Sequence, residues 1–583
     1  MADRSYIRTG TILRKKYTQY MIPAILSAIG VSLSEFADSM IVGNLIGPEA
    51  FAIVNLGLPI VLIASTIYTI TGVGGSLLYA EYLGKKDKKN ADNCFSASVI
   101  FSILIGAAAV GLLLILHSQL STFFGCPANL KPQFDRYINV LYLFMPAAIL
   151  LMNFTFFLPV VGLPFLSMGL VVSANILNIG LDVVMIRGFG MGCEGAAAAT
   201  LISFLIVLAA GILICCIRKV PLKLTRPERP GTHLKMIVLK GLPSGVVQAG
   251  YAVTTIFCNS FMNLAFGLIG VEAMSVFGQM DSIISIALTG ITENNALFVA
   301  MLKSEGDYFG IRSLSRRVTI MIVTVVSVIC VLFAVFSGFT AGIFNVHGAD
   351  ALALIGRLTP VYVLYYPLRC IILVLRDIYN TLDRSSYAMF LGIMDKIVCI
   401  PLIGGILYAA FGGYGLIAAF PAGMAVILLL IMLINHRIVR RSNGRYSPVL
   451  LLDEAYPMKT ICSYSTDSLE DISEIALMLE EGIEETERNV AVLNRMCLAA
   501  EEMSLYTAEQ CGKETPVDFM ISRGKDYTLT CRSPGRPFCP IPEQPKEQSP
   551  NERLLTALFH IKHEYIFGLN STSLTIKGGT NEE

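Results

Sequence analysis

Tryptophan is absent from the chain, and charged residues are scarce, at 15% of 583 positions. Soluble domains carry about 25%, so a water-soluble body is excluded for most of the sequence. Without tryptophan, interfacial anchoring in a membrane falls to tyrosine. No GxxxxGK[ST] loop occurs, which removes support for pumping driven by ATP through such a motif. No CxxC pair or Cys/His cluster is found among the 14 cysteines, so neither a zinc site nor a disulfide framework is indicated. Most cysteines sit in apolar runs (Cys215, Cys216, Cys258, Cys330, Cys370, Cys399), where reduced thiols are expected. The first residues, MADRSYIRTGTILRKKY, lack a cleavable-signal pattern and read as a retained cytoplasmic segment. A net charge of +1 gives no basic field for nucleic acid.

What is abundant is hydrophobicity: 54% of residues, with a mean hydropathy of +0.65. About twelve segments are long enough to span a bilayer, centred near 18–46, 51–80, 92–117, 136–158, 163–186, 194–217, 235–266, 273–300, 314–340, 352–378, 386–410 and 414–438. Lysine and arginine crowd the even-numbered connections (Lys85, Lys86, Lys88 and Lys89; Arg218, Lys219, Lys223, Arg226 and Arg229; Lys303, Arg312, Arg316 and Arg317). The positive-inside rule then places both termini in the cytoplasm, with a bacterial inner (plasma) membrane as the expected location. Leu45-Ile-Gly-Pro-Glu-Ala50 recurs as Leu268-Ile-Gly-Val-Glu-Ala273, and Phe124/Phe344 and Gly195/Gly415 recur at a spacing of 220. Six segments separate each pair, so the halves share one orientation, as in parallel transporter repeats. Charge divides the chain differently: residues 1–445 carry +12 and residues 446–583 carry −11. The expected organisation is a cytoplasmic N-terminus (1–17), a six-helix lobe (18–217), a linker (218–234), a second six-helix lobe (235–440), a linker (441–458) and a small cytoplasmic domain (459–583). The fold class is therefore an all-α polytopic membrane protein with two parallel six-helix repeats and a small soluble α+β domain.

The polar residues buried in this apolar sequence are the candidates for chemistry. Asn175, Asn178 and Asp182 share one helix face, and Thr200 follows in the next segment. A carboxylate in a membrane helix costs about 2.5–3.5 kcal/mol on insertion scales and usually marks an ion or substrate path. The expectation is an ion-coupled transporter rather than an enzyme.

Three stretches, FADSMIVGNLIGPEAFAIVNLGLPI (Phe36–Ile60), EYLGKKDKKNAD (Glu81–Asp92) and NILNIGLDVVMIRGFGMGCEGAAAAT (Asn175–Thr200), resemble the multidrug and toxic compound extrusion (MATE) family over roughly residues 15–440. The resemblance implies two bundles around a V-shaped cavity, alternating access, and efflux of small organic, often cationic, molecules. Coupling to Na+ or H+ is implied, with no tightly bound cofactor. The family's first-lobe cation site maps onto Asp38, Asn178, Asp182 and Thr200. Two buried carboxylates would raise each other's pKa, so a proton or Na+ could repack the lobe. Glu35, Asn153, Asn175, Gln248, Arg369, Arg376 and Asp377 are candidate cavity residues; Arg376 and Asp377, being adjacent, are expected to point apart toward separate partners. The chain departs from the family in having no carboxylate within 235–266 and an apolar FFLPVVGLP (Phe156–Pro164).

The tail reads as a strand at TICSYS, helices over Leu469–Glu487 and Val490–Gln510, strands at PVDFMISR and DYTLTCR, and a helix from about Asn551. This order resembles the GHKL ATP-binding fold of anti-sigma-factor kinases. Glu501 or Glu502 matches its metal-serving acid, but Tyr506 stands at the Asn position. In RSPGRPFCP, Gly535 is kept while Ser533 replaces the adenine-reading Asp. A degenerate module follows, catalytically inactive, that regulates transport or docks a cytoplasmic regulatory protein. Two other readings compete: a flippase for lipid-linked saccharides, kept open by Arg369 and Arg376, and a membrane-anchored kinase or sensor using the tail.

Overall fold

A computed structural model of the chain describes residues 6–7, 11–45, 48–119, 130–338, 348–453, 459–466, 468–469, 477, 480, 490–524, 526–540 and 555–576. The side chains of residues 33–52, Glu35 and Asp38 included, lie outside that description. Helices α1 (Thr11–Leu45), α2 (Pro48–Gly84), α3 (Lys88–Ile115), α4 (Lys131–Phe157), α5 (Pro164–Val183) and α6 (Gly192–Ile217) form a first bundle. Its core is the inward face of α4, with Phe134, Ile138, Met145 and Ile149 packed on Ala174 of α5 and Ala196 and Ala197 of α6. A second bundle holds α7 (Pro230–Phe266), α8 (Leu268–Ser304), α9 (Tyr308–Val335), α10 (Ala349–Val363), α11 (Tyr365–Thr381), α12 (Ser385–Ile393) and α13 (Cys399–Arg441). Leu364 separates α10 from α11, and Gly412, at φ +60°, breaks α13. Among the described residues, nine stretches are long and apolar enough to cross a membrane. Their outward faces carry Leu104, Ile115, Val331, Val335, Ile406 and Met432, as contact with lipid requires.

Both bundles repeat small devices. Asp87 caps α3, one oxygen accepting from Asn90 N (3.1 Å) and the other from Asn90 Nδ2 (2.7 Å). Asp307, 220 positions on, caps α9 through Gly310 N (2.8 Å). A single π turn follows α5 (Val184–Gly188), just after Asp182, and another follows α12 (Met394–Val398), carrying Asp395 and Lys396. Such turns concentrate at functional sites.

The bundles meet where α2 crosses α7 and where α1 and α2 pack on α8. This contact is glycine-made: a methyl on Gly241 would overlap the carbonyl of Ile70, and one on Gly74 that of Ile237. An ion network spans the same end. Glu81 of α2 accepts from Lys240 of α7 (3.0 Å) and Lys303 of α8 (3.4 Å), and Asp383 binds Lys240 (3.0 Å) and Lys303 (2.6 Å).

The tail is a sheet ordered β1-β2-β3-β4-β6-β5, with β1 (Tyr6–Ile7) parallel to β2 (Lys459–Thr466) and the rest antiparallel. β3 is Val517–Arg523, β4 Tyr527–Pro534, β5 Phe559–Ile566 and β6 Leu569–Ile576. Helix α14 (Val490–Cys511) covers one face through Met496, Ala499, Ala500 and Met503, which pack on Phe519, Leu529 and Leu574. Most of the helix expected over Leu469–Glu487 lies outside the described residues. Of the helix expected from about Asn551, residues 555–558 are helical among the described residues, and 559–576 then form a hairpin that the sequence reading did not include. Alternating side chains in FHIKHEYI fit a strand, and Phe567-Gly568 makes a two-residue turn with both φ positive (+53° and +70°).

Candidate functional site

In the first bundle α5 brings Asn178 and Asp182 inward, and both are buried, Asp182 completely. Asn178 Nδ2 donates to Thr200 Oγ1 on α6 (3.1 Å), and Thr200 in turn donates to the Ala196 carbonyl (2.9 Å). Asn175, one turn back, is half-buried. Helix α1 runs along α5, close enough that a methyl on Gly30 would press on Val172 at 2.9 Å. The backbone that bears Glu35 and Asp38 therefore belongs to the helix packed against this polar face.

Between the bundles lies a cavity of about 810 Å3, with Tyr20, Ser27, Ser32 and Tyr68 on one wall and Gln248, Tyr251, Asp281 and Ser285 on the other. Gln248 donates to Ser65 Oγ across the gap (3.3 Å). Asn153 is not among its lining; it donates to Ser98 Oγ (3.0 Å) and ties α4 to α3. A second pocket of about 420 Å3 opens inside the second bundle, and Tyr251 and Asp281 line both spaces. Its wall combines Tyr362, Tyr365 and Phe420 with Lys396, whose ammonium sits 3.0 Å from Tyr365 Oη and 4.2 Å from the centre of the Tyr251 ring. Arg369, buried beside it, pairs with Asp281 (3.2 Å) and donates to the Tyr251 hydroxyl. Arg376 and Asp377 are corrected: they bind each other (2.9 and 3.2 Å), because the long arginine stem folds back over its neighbour. Sequence reasoning singled out Arg369 as a cavity residue but did not join it to Tyr251, Asp281, Tyr365 and Lys396, which come from separate helices.

In the tail, Tyr506 donates to the Cys539 carbonyl (3.0 Å) and its ring meets Phe538 at 5.5 Å, edge to face. Ser533 is buried in β4 opposite Asn570, and Gly535 follows at φ +142°. Glu501 and Glu502 lie half-buried on α14; burial pushes the Glu502 carboxyl up, and Glu501 adds to it. His563 is likewise half-buried, its Nδ1 2.8 Å from Thr572 Oγ1. Burial, and then the Lys86 charge, push its pKa down to about 4. An unfolded histidine takes up its proton near pH 6.5, so the tail loses stability as pH falls from about 6.5 to 4. His563→Gln should flatten that slope in protease-resistance measurements on the full chain.

The tail also touches the membrane part. Arg532 of β4 forms ion pairs with Glu305 and, at 2.6 Å, with Asp307, both in the turn between α8 and α9. Lys86, from the matching turn of the first bundle, reaches Glu305 (2.8 Å) and Ser571 of β6 (2.6 Å). Burial works against the Glu305 charge, yet Arg532 and Lys86 hold its carboxyl below the usual range. At the hairpin tip Phe567 stacks on Phe298 of α8 (4.4 Å) and meets Tyr20 of α1 (5.7 Å), while its N–H donates to the Val160 carbonyl (3.1 Å).

Comparison with known proteins places this geometry. The MatE family model matches residues 23–184, which contain α2 to α5 and the Asn178–Asp182 face. The membrane part is similar to the MATE family, and the model match falls within its first bundle. A multidrug export protein, MepA of Staphylococcus saprophyticus, is 22% identical over 431 residues, 72% of this chain and 93% of its own length. A probable multidrug resistance protein, YoeA of Bacillus subtilis, is 24% identical over 332 residues, 54% of this chain and 70% of its own. Among solved structures, an outward-facing MATE transporter of the MOP superfamily has a TM-score of 0.68 at 21% identity, covering 74% of this chain and 96% of that one. The Vibrio cholerae MATE transporter VcmN, in its bent form, gives 0.68 at 17%, covering 74% and 98%. MATE proteins are transporters, not enzymes, and the membrane part of this chain is that of a multi-pass membrane transporter.

Proposed function

We propose that this MATE-like protein exports small organic, chiefly cationic, molecules by exchange for Na+ or H+. The observation that carries the reading is the fully buried Asp182, one turn from Asn178 and its Thr200 hydrogen bond. Asp38 of α1 is assigned to the same site as the partner carboxylate. Loading one cation onto two acidic side chains removes their repulsion and their burial cost together. That free energy repacks α1 on α5 and moves the lobes. Substrate is assigned to the cavity of about 810 Å3, whose tyrosines offer ring faces to a flat cation. The names of MepA and YoeA support multidrug efflux as the role. Lysine and arginine in the even-numbered connections support cytoplasmic termini in a bacterial plasma membrane. The flippase reading loses its main support, since Arg369 is neutralised by Asp281 and Arg376 by Asp377. The tail is read as a GHKL-like module without catalysis, because Tyr506 ties its helix to the Cys539 loop.

The test is reconstitution in liposomes with Na+ and pH gradients imposed separately. At least one gradient should drive export of a cationic dye such as ethidium above the rate without a gradient. Equal rates in all three conditions, across a panel of cationic dyes, would refute the reading.

A further inference from the structure

The tail hairpin touches both bundles at the end where they are closed on each other. On the first bundle it meets Tyr20, the Val160 carbonyl and Lys86; on the second it meets Phe298 and Glu305, and Arg532 adds Asp307. All of these contacts lie beside the Glu81–Lys240–Lys303–Asp383 network and the Gly74/Gly241 crossing, so the tail joins the lobes where they already join each other. The contact is built rather than incidental. Arg532 is 2% exposed, and its acidic partners are buried with it. Phe567 is fully buried at φ +53°, a conformation a bulky residue rarely adopts. A turn chosen only for hairpin stability would place Asn or Gly there. The ring is in the turn because it fills the space between α1 and α8.

We infer that the tail is a releasable staple: the β5–β6 turn and Arg532 bind across both lobes and hold that end shut, so each transport cycle requires the hairpin to leave. The argument rests on the alternating-access reading, because a transporter that opens at this end must separate Tyr20 from Phe298 and Lys86 from Glu305. No hinge in either lobe can do so while Phe567 remains seated on both and Arg532 holds the tail to the second. The staple thereby favours the state with this end closed and slows turnover.

Two full-length variants test it. Arg532→Gln removes the clasp, and Phe567→Gly removes the wedge while suiting the turn's backbone. Hydrogen exchange over residues 566–571 should rise about 100-fold in Arg532→Gln, as expected when a buried ion pair loses one partner. The lobes are followed by Tyr82→Trp, the sole tryptophan, because Tyr82 of α2 lies against His233 of α7 with ring centres 5.7 Å apart. Its emission should shift to the red in both release variants, with no substrate present. Dye export should quicken at least about fivefold, a coupling within the ordinary allosteric range. Faster exchange with unmoved emission would overturn the staple and leave the hairpin a stabilising contact. So would unchanged or slower export from a released hairpin, or unchanged exchange in Arg532→Gln. Shifted emission with no dye exported by any form would instead sink the efflux reading and leave the staple standing.

Discussion

Asp182→Asn should abolish gradient-driven export, lowering the rate about 100-fold, or roughly 2.7 kcal/mol of coupling, while the protein still inserts and folds. The amide nearly matches the carboxylate in shape, so packing on α6 is kept. What is lost is the capacity to bind a proton or to neutralise Na+ in a place where charge is expensive. The side chain is completely buried, so water cannot replace it. Thr200→Ala should cost less, about tenfold, because it removes one oxygen and takes away the acceptor of Asn178 without changing the charge. Substrate binding measured without a gradient should survive in both variants. Export by Asp182→Asn that still follows the gradient would remove Asp182 from the coupling site.

Gly241→Ala should push the lobes apart at their closed end. The added methyl overlaps the Ile70 carbonyl, which belongs to helix backbone and cannot turn aside as a side chain would. Overpacking of this kind costs about 1–3 kcal/mol, enough to shift the closed-to-open ratio by roughly 5- to 150-fold. The Tyr82→Trp reporter should move to the red as in the release variants, and Gly74→Ala, against Ile237, should act alike. Gly111→Ala serves as the control, since nothing lies within 4 Å of its added carbon. Equal emission in all three would mean that the glycine crossing does not set the lobe distance.

Much of the architecture was legible because lipid imposes it: long apolar runs, basic connections and a repeat at nearly constant spacing. Helical periodicity put Asn178 and Asp182 on one face, which the structure buries, while Thr200, bonded to Asn178, entered through resemblance. The side chains of Glu35 and Asp38 lie outside the described residues, so half of the acidic pair still rests on resemblance. The second-bundle pocket was not legible, because Tyr251, Asp281, Tyr365 and Lys396 come from α7, α8, α11 and the turn after α12. Adjacent charges misled at Arg376 and Asp377, where a flexible stem defeats an argument from Cβ direction. In the tail, polar residues and a short apolar run masked the alternation of 559–576, so its hairpin went unread. Its docking could not be read at all, since Arg532 and Glu305 are joined only in three dimensions.

The two capping aspartates show how little separates the halves. Asn90 occupies both oxygens of Asp87, one through its backbone and one through its amide. Gly310, at the corresponding place, has no side chain, so the second oxygen of Asp307 is left to receive Arg532. A duplicated transporter offers two related turns to one appended module, and two of their differences bear on Arg532: Asn90 against Gly310, and Lys85 against Glu305. A carboxylate oxygen left by the missing amide, together with a reversed charge, directs Arg532 to the second copy. Exchanging Asn90 and Gly310 should weaken the tail's seat without any change in the tail itself.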